Sequence, residues 1–212
     1  MERFIYLHGF ASGPNSKKAR IFHDRFAEKG IPLEIPDLTR NDFFHLTITS
    51  QLNVLAKLAA GNEVSLIGSS LGGYLAAIYA AQHPGEVRRV VLLAPAFGFA
   101  RRWVETLAPQ TVLDWQSSGR LTVPDYASGG TAEISWQLIE DGRLYDEEPD
   151  VRQPALIFHG TNDTVVPPEA SRHFSASRPN VTLHLMRSGH ELLDVVDDIW
   201  KLTEPHLLYS RE

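Results

Sequence analysis

The segment Gly68-Ser69-Ser70-Leu71-Gly72-Gly73 constrains this chain more than any other stretch in it. It follows Val64-Ser65-Leu66-Ile67, an apolar run of strand length. Leu71 to Gln82 then reads as a helix, apolar almost all round as a helix buried in a core is. Passing from buried strand to buried helix within so few residues forces a very tight turn with strained backbone angles. Residues two before and two after its apex collide with the adjoining helix and strand unless they have almost no side chain. Ser70 has Gly68 and Gly72 at those positions, whereas Ser69 has Ile67 and Leu71, so only Ser70 fits the apex. The turn lifts the Ser70 hydroxyl above the sheet at a helix N-terminus, where unpaired N–H groups and the dipole favour negative charge. A dinucleotide turn is excluded because position 70 breaks G-x-G-x-x-G, and no G-x-x-x-x-G-K-[ST] occurs in the chain.

The rest of the chain repeats the strand–helix theme. Phe4 to Leu7, Val90 to Ala94 and Ala155 to Phe158 read as buried strands. Leu33-Glu34-Ile35 is a brief strand, and Thr182 to Met186, which alternates more, is an edge strand. Helical stripes run through Ala19, Phe22 and Phe26, through Ile48, Leu52, Leu55 and Ala59, and through Leu192, Val195, Val196, Ile199 and Leu202. Strands apolar on both faces, alternating with helices, specify an α/β class: about six mostly parallel strands, doubly wound. A length of 212 residues suits one domain, residues 1–212. The regularity breaks once, over about residues 97–152, a stretch holding Trp103, Trp115, Trp136, Pro109, Pro124 and Gly129-Gly130. It begins at the sheet edge where open α/β sheets bind ligands, and it reads as a small inserted lid. Its three tryptophans, with Phe97, Phe99 and Tyr126, predict an apolar acyl pocket.

Composition narrows the function classes. A net charge of −6 argues against nucleic acid or an anionic membrane as the main partner. The absence of cysteine excludes disulfides, thiolate metal sites and a thiol nucleophile. No apolar run approaches the ~18 residues that span a membrane. Met1-Glu2-Arg3-Phe4 leads straight into a strand without a signal-peptide layout, so a cytoplasmic location is expected.

A serine hydroxyl needs a base, and nine histidines are available. His190 stands in Ser188-Gly189-His190-Glu191, between the last strand and the last helix, where it can hang over the same sheet edge as Ser70. His8 and His159 lie at strand ends and His184 lies mid-strand; the other five read as surface or ordinary packing. His190-Glu191-Leu192-Leu193-Asp194 lacks the second histidine of H-E-x-x-H, so no metal site is expected. The imidazole needs a carboxylate to orient it, and Asp163, just past the strand ending at Phe158, arrives in the order Ser, Asp, His. Asp194, Asp197 and Asp198 are rivals that read as complements to a helix dipole, and Glu140 to Asp150 as a solvated acidic run. The oxyanion needs two N–H donors: Leu71, directly after the serine, and Phe10, in the loop after the first strand, where Gly9 allows close approach.

These residues resemble the α/β-hydrolase superfamily across His8-Gly9-Phe10, Gly68-x-Ser70-x-Gly72, Gly160-x-x-Asp163-x-x-x-Pro167 and Gly189-His190. Tyr6 to Phe10 with Ser12, Pro14, Ser16 and Lys18-Ala19, and then Gly68 to Tyr74, are similar to the short bacterial esterases of the YqiA type. The first strand here matches the one usually third in larger members. The resemblance implies a serine hydrolase of carboxylic esters or thioesters that needs no cofactor, with Ser70 as nucleophile, His190 as base, Asp163 as its orienter, and Phe10 and Leu71 as oxyanion hole. The expected partner is a small-molecule acyl ester. The alternatives are an acyl thioester such as acyl-CoA and, in a different class, a non-catalytic binding module on the same fold.

Overall fold

Side-chain alternation along the strands sorts the interior into two faces. The computed structural model describes residues 2–209. In chain order its elements are β1 (Arg3–Leu7), α1 (Lys17–Glu28), β2 (Leu33–Glu34), α2 (Ile48–Ala59), β3 (Val64–Ser69), α3 (Leu71–Gln82), β4 (Val87–Leu93), α4 (Phe99–Thr106), α5 (Pro109–Ser118), β5 (Arg120–Asp125), β6 (Gly130–Ser135), α6 (Gln137–Gly142), β7 (Ala155–Gly160), α7 (Glu169–Ala176), β8 (Val181–Met186) and α8 (Val196–Leu208). Six strands form one sheet in the order β2-β1-β3-β4-β7-β8, every neighbouring pair parallel. Ile5, Leu7, Val64, Leu66, Val90, Leu92 and Ile157 point to the face covered by α2 and α3, while Phe4, Tyr6, Ile67, Val91, Leu93 and Phe158 point to the face covered by α1 and α8. Both faces are dry, which is why these strands read as continuous apolar runs. The doubly wound α/β class expected from the alternation is the one observed, with β8 at an edge.

The chain steps from β1 outward to β2, then returns to place β3 on the other side of β1. The C-terminal ends of β1 and β3 therefore flank a topological switch point, where open α/β sheets hold ligands. Gly9 and Phe10 follow β1 there, and Ser70 follows β3.

Residues 97–152 form α4, α5, an antiparallel β5–β6 hairpin and α6. Trp103, Trp115 and Trp136 stack edge to face in series, with centroids 5.1 and 5.0 Å apart. Trp115 and Trp136 are buried in the core shared with the sheet, and Trp115 Nε1 donates to Ile134 O at 3.1 Å. They anchor the insert, so their contribution is to packing and not to the expected acyl pocket. In the acidic run Glu140, Asp146, Glu147 and Asp150 are exposed, as expected, while Asp141 and Glu148 are partly buried. Asp141 caps α2 by accepting from Thr49 N and Oγ1 (2.8 and 2.6 Å). Glu147 pairs with Arg101 and Glu148 with His173.

The last helix starts later than its stripe predicts. Leu192 is buried in a left-handed conformation (φ 56°), a 3-10 turn spans Leu193–Val195, and α8 then buries Ile199, Trp200, Thr203 and Leu207. Leu202 is exposed. Among the described residues no helix is long and apolar enough to cross a membrane.

Candidate active site

Ser70 sits at φ 53°, ψ −117°, a conformation that costs a non-glycine residue about 1–3 kcal/mol. Its surroundings enforce it. Ser70 N donates to Leu93 O at 2.8 Å, and Ser70 O accepts from Gly73 N, Tyr74 N and Ala96 N. The flanking glycines are sterically required: a Cβ on Gly68 would lie 2.2 Å from Gly72 O, and one on Gly72 would lie 2.1 Å from Leu7 O. Both neighbours are backbone, so neither can swing aside. Gly72→Ala is expected to destabilise the fold by about 3 kcal/mol, read as a lower urea midpoint. Gly13→Ala, whose Cβ would meet Ala127 Cβ at 3.8 Å, is expected to change stability by less than about 0.5 kcal/mol.

Asp163 and His190 reach one another through two loops that are themselves joined. Thr161 N donates to Met186 O and Asn162 N to Ser188 O, and Gly160 lies so near Ser188 and Gly189 that a Cβ there would be 2.4 Å from both carbonyl oxygens. The glycine after His159 thus lets the β7 and β8 loops touch. His190 Nδ1 lies 2.7 Å from Asp163 Oδ2 and donates to it, because an ionised carboxylate only accepts. This leaves Nε2 as the basic nitrogen. Asp163 Oδ1 accepts from Val165 N and Val166 N at 2.8 and 2.9 Å.

A further histidine holds the same carboxylate. His159 is fully buried, with Nε2 2.8 Å from Val166 O and 3.2 Å from Asp163 Oδ2, and Nδ1 2.7 Å from Ser171 Oγ. A carbonyl oxygen only accepts, so Nε2 carries a proton shared between Val166 O and Asp163. Burial alone raises the Asp163 carboxyl, but hydrogen bonds from His159, His190 and Val166 N outweigh it and hold the group well below the usual carboxylate range.

The Gly9–Phe10 peptide has a fixed orientation. Its carbonyl accepts from His8 Nδ1–H at 3.0 Å and from Ser12 N at 3.3 Å, while His8 Nε2 accepts from Leu38 N. Burial pushes His8 down from its ordinary pKa, in keeping with this neutral, singly protonated pattern. In a trans peptide the N–H points opposite to the C=O, so the Phe10 N–H is turned away from His8. Gly9 packs against the serine, since its Cβ would lie 3.4 Å from Ser70 Cβ. Leu71 opens α3, and its N–H is one of the helix's orphan donors.

Ser70, His190, Gly9 and Phe10 line one cavity of about 1120 Å³. Its apolar wall includes Phe97, Phe99, Trp103, Val123 and Val166, and Tyr126 lies at its exposed side. Phe10 packs edge-on to Trp103 (4.9 Å) and beside Phe43 (5.3 Å), so the insert and the loop after β1 form a continuous aromatic surface. Ser70 and His190 share this cavity, but among the described residues no hydrogen bond joins Ser70 Oγ to the imidazole. Asp194, a sequence rival to Asp163, bonds Ser188 Oγ instead, and exposed Asp197 and Asp198 pair with Arg25 and Lys201.

A profile of the uncharacterised protein family UPF0227 matches residues 3–205. The chain is 26% identical over 164 residues to the mouse mitochondrial palmitoyl-protein thioesterase ABHD10, covering 70% of this chain and 55% of that protein's length. The solved structure of mouse ABHD10 superposes with a TM-score of 0.73 at 22% identity, covering 94% of this chain and 90% of that one. A 2-hydroxy-6-oxononadienedioate/2-hydroxy-6-oxononatrienedioate hydrolase from Burkholderia vietnamiensis is 27% identical over 236 residues, covering 89% of this chain and 81% of the relative. Est1E from Butyrivibrio proteoclasticus superposes with a TM-score of 0.75 at 20% identity, covering 95% of this chain and 86% of that one.

Proposed function

Because the chain belongs to the UPF0227 family, within the α/β-hydrolase superfamily, we propose that it is a serine hydrolase that cleaves a carboxylic ester through an acyl-enzyme. The observation that carries this reading is the strained Ser70 turn opening into the cavity that His190 lines, with His190 held by Asp163 at 2.7 Å.

In the reacting geometry Ser70 Oγ stands within hydrogen-bond reach of His190 Nε2 across the cavity that both line. His190 Nε2 takes the Ser70 hydroxyl proton as Oγ bonds to the carbonyl carbon. The carbonyl oxygen becomes an oxyanion, held by the N–H groups of Phe10 and Leu71. As the intermediate collapses, the bond to the leaving oxygen breaks and His190 gives that oxygen its proton. Water then attacks the acyl-enzyme. His190 takes the water's proton and returns it to Ser70 Oγ as the acid leaves. Asp163 stays ionised throughout and stabilises the imidazolium. The insert serves as the lid over the acyl chain, through Phe99 and Trp103.

The thioester reading uses the same steps with sulfur as the leaving atom. It is favoured by the likeness to a palmitoyl-protein thioesterase and by the aromatic wall. Side-by-side turnover of acyl-CoA and 4-nitrophenyl esters of matched chain length separates the two.

Reaction with a fluorophosphonate probe tests the serine-hydrolase reading itself. The folded protein is expected to gain one probe mass, and peptide mapping is expected to find it on Ser70. A folded protein that stays unlabelled overturns the reading in favour of a binding module, and one that labels elsewhere removes Ser70 as the nucleophile.

A further inference from the structure

Lys18 has no part in the steps above, yet it lines the same cavity, beside Tyr6, Ser69 and Ser70. It is only 7% exposed, and its ammonium donates to Ser69 Oγ at 3.0 Å. Three features make this an unfavourable place for a cation. Burial strips its hydration. Lys18 lies in the first turn of α1, where the helix dipole repels positive charge, and that turn contains no acidic residue. Among the described residues no carboxylate forms an ion pair with it. The carboxylates whose charge it feels are Glu191, which is exposed, and Asp163, which is already engaged by His190 and two backbone N–H groups. Burial lowers the Lys18 pKa to about 8 against the pull of these two carboxylates, so the ammonium remains mostly charged near neutral pH.

A purely structural tie between α1 and Ser69 needs only a neutral donor, which glutamine supplies without desolvating a charge. An ammonium has three donors, and Ser69 uses one. We propose that Lys18, held by Ser69, is an anion subsite beside Ser70, and that the ester cleaved here carries a free carboxylate. The subsite follows from the burial and pairing of Lys18 alone; its use in turnover rests on the serine-hydrolase reading.

The experiment compares 4-nitrophenyl hydrogen glutarate with the neutral 4-nitrophenyl pentanoate, and 4-carboxyphenyl butyrate with phenyl butyrate, so the carboxylate is offered on either side of the ester. In at least one pair the wild type is expected to favour the anionic member at least tenfold in kcat/KM beyond the chemical difference between the esters. Lys18→Met is expected to shrink that preference at least tenfold, mainly through KM, whereas a merely structural role lowers both members together. Calorimetry on Ser70→Ala, which needs no turnover, is expected to show glutarate binding that is lost in Ser70→Ala/Lys18→Met. Should Lys18→Met fail to fold, protection carries the test: glutarate slows fluorophosphonate labelling of the wild type and pentanamide does not. A wild type that labels at Ser70 but shows no anionic preference and no glutarate protection overturns the subsite and leaves the hydrolase intact. Binding of inorganic phosphate in place of glutarate overturns the carboxylate assignment. An unlabelled wild type whose Ser70→Ala form still binds glutarate through Lys18 overturns the hydrolase and supports the subsite.

Discussion

Ser70→Ala is expected to lower kcat/KM by about 10⁴- to 10⁶-fold, with the residue of activity coming from binding and from the oxyanion donors. Alanine cannot supply the attacking oxygen, but it disturbs nothing else. The backbone bonds that impose φ 53° belong to Leu93, Gly73, Tyr74 and Ala96, and they remain. The variant should melt within a few degrees of the wild type, so the loss reads as chemistry. Adding His190→Ala to Ser70→Ala should lower the residual rate no further, because a base without a hydroxyl to deprotonate has nothing to contribute. A loss of less than about tenfold in the single variant would remove Ser70 from the reaction. Ser70→Gly separates stability from chemistry in the opposite direction. It relieves a strained φ and is expected to raise stability by about 1 kcal/mol while abolishing turnover.

How far the sequence reveals this molecule depends on which physical effects leave a local trace. Strands buried on both faces carry period-two cores on each side, so Phe4 to Leu7 and Val90 to Leu93 are legible as apolar runs, and the parallel sheet follows. The Ser70 turn is legible because its steric demand falls on fixed neighbours, Gly68 and Gly72. Packing between distant segments leaves less. Trp115 and Trp136 have the composition of a ligand pocket and the position of a core, and only their edge-to-face series distinguishes the two. The late start of α8 depends on Leu192 adopting a left-handed conformation, which no propensity assigns to leucine. His159 is tied to Asp163 and Ser171 by contacts between elements; its one trace was a histidine followed by glycine at the end of a strand aimed at the Ser70 edge. Lys18 left a clearer mark. It shares the buried face of α1 with Phe22 and Phe26, at successive intervals of four, and a lysine on an apolar stripe is a position to question.

Asp163→Asn provides the sharpest test of how the imidazole is held, with an expected loss of about 10⁴-fold in kcat. The carboxylate accepts on both oxygens: Oδ1 from Val165 N and Val166 N, Oδ2 from His190 and His159. An asparagine has a single acceptor oxygen. With that oxygen kept on the two backbone N–H groups, the NH₂ faces His190 Nδ1 and the protonated His159 Nε2. His190 then avoids a donor–donor clash only by moving its proton to Nε2, the nitrogen that must accept from Ser70, and catalysis stops in the ground state. Turned the other way, the amide opposes Val165 N and Val166 N, and the loop that carries it opens. Either orientation also leaves a buried donor without an acceptor, so a stability loss of about 1–3 kcal/mol should accompany the kinetic one. Asp163→Glu separates the contributions: it keeps the charge, displaces the oxygens, and is expected to retain more activity than asparagine. Equal activity of Asp163→Asn and wild type on a good ester would show that Asp163 does not set the His190 tautomer, and the proton path through Nε2 would have to be redrawn.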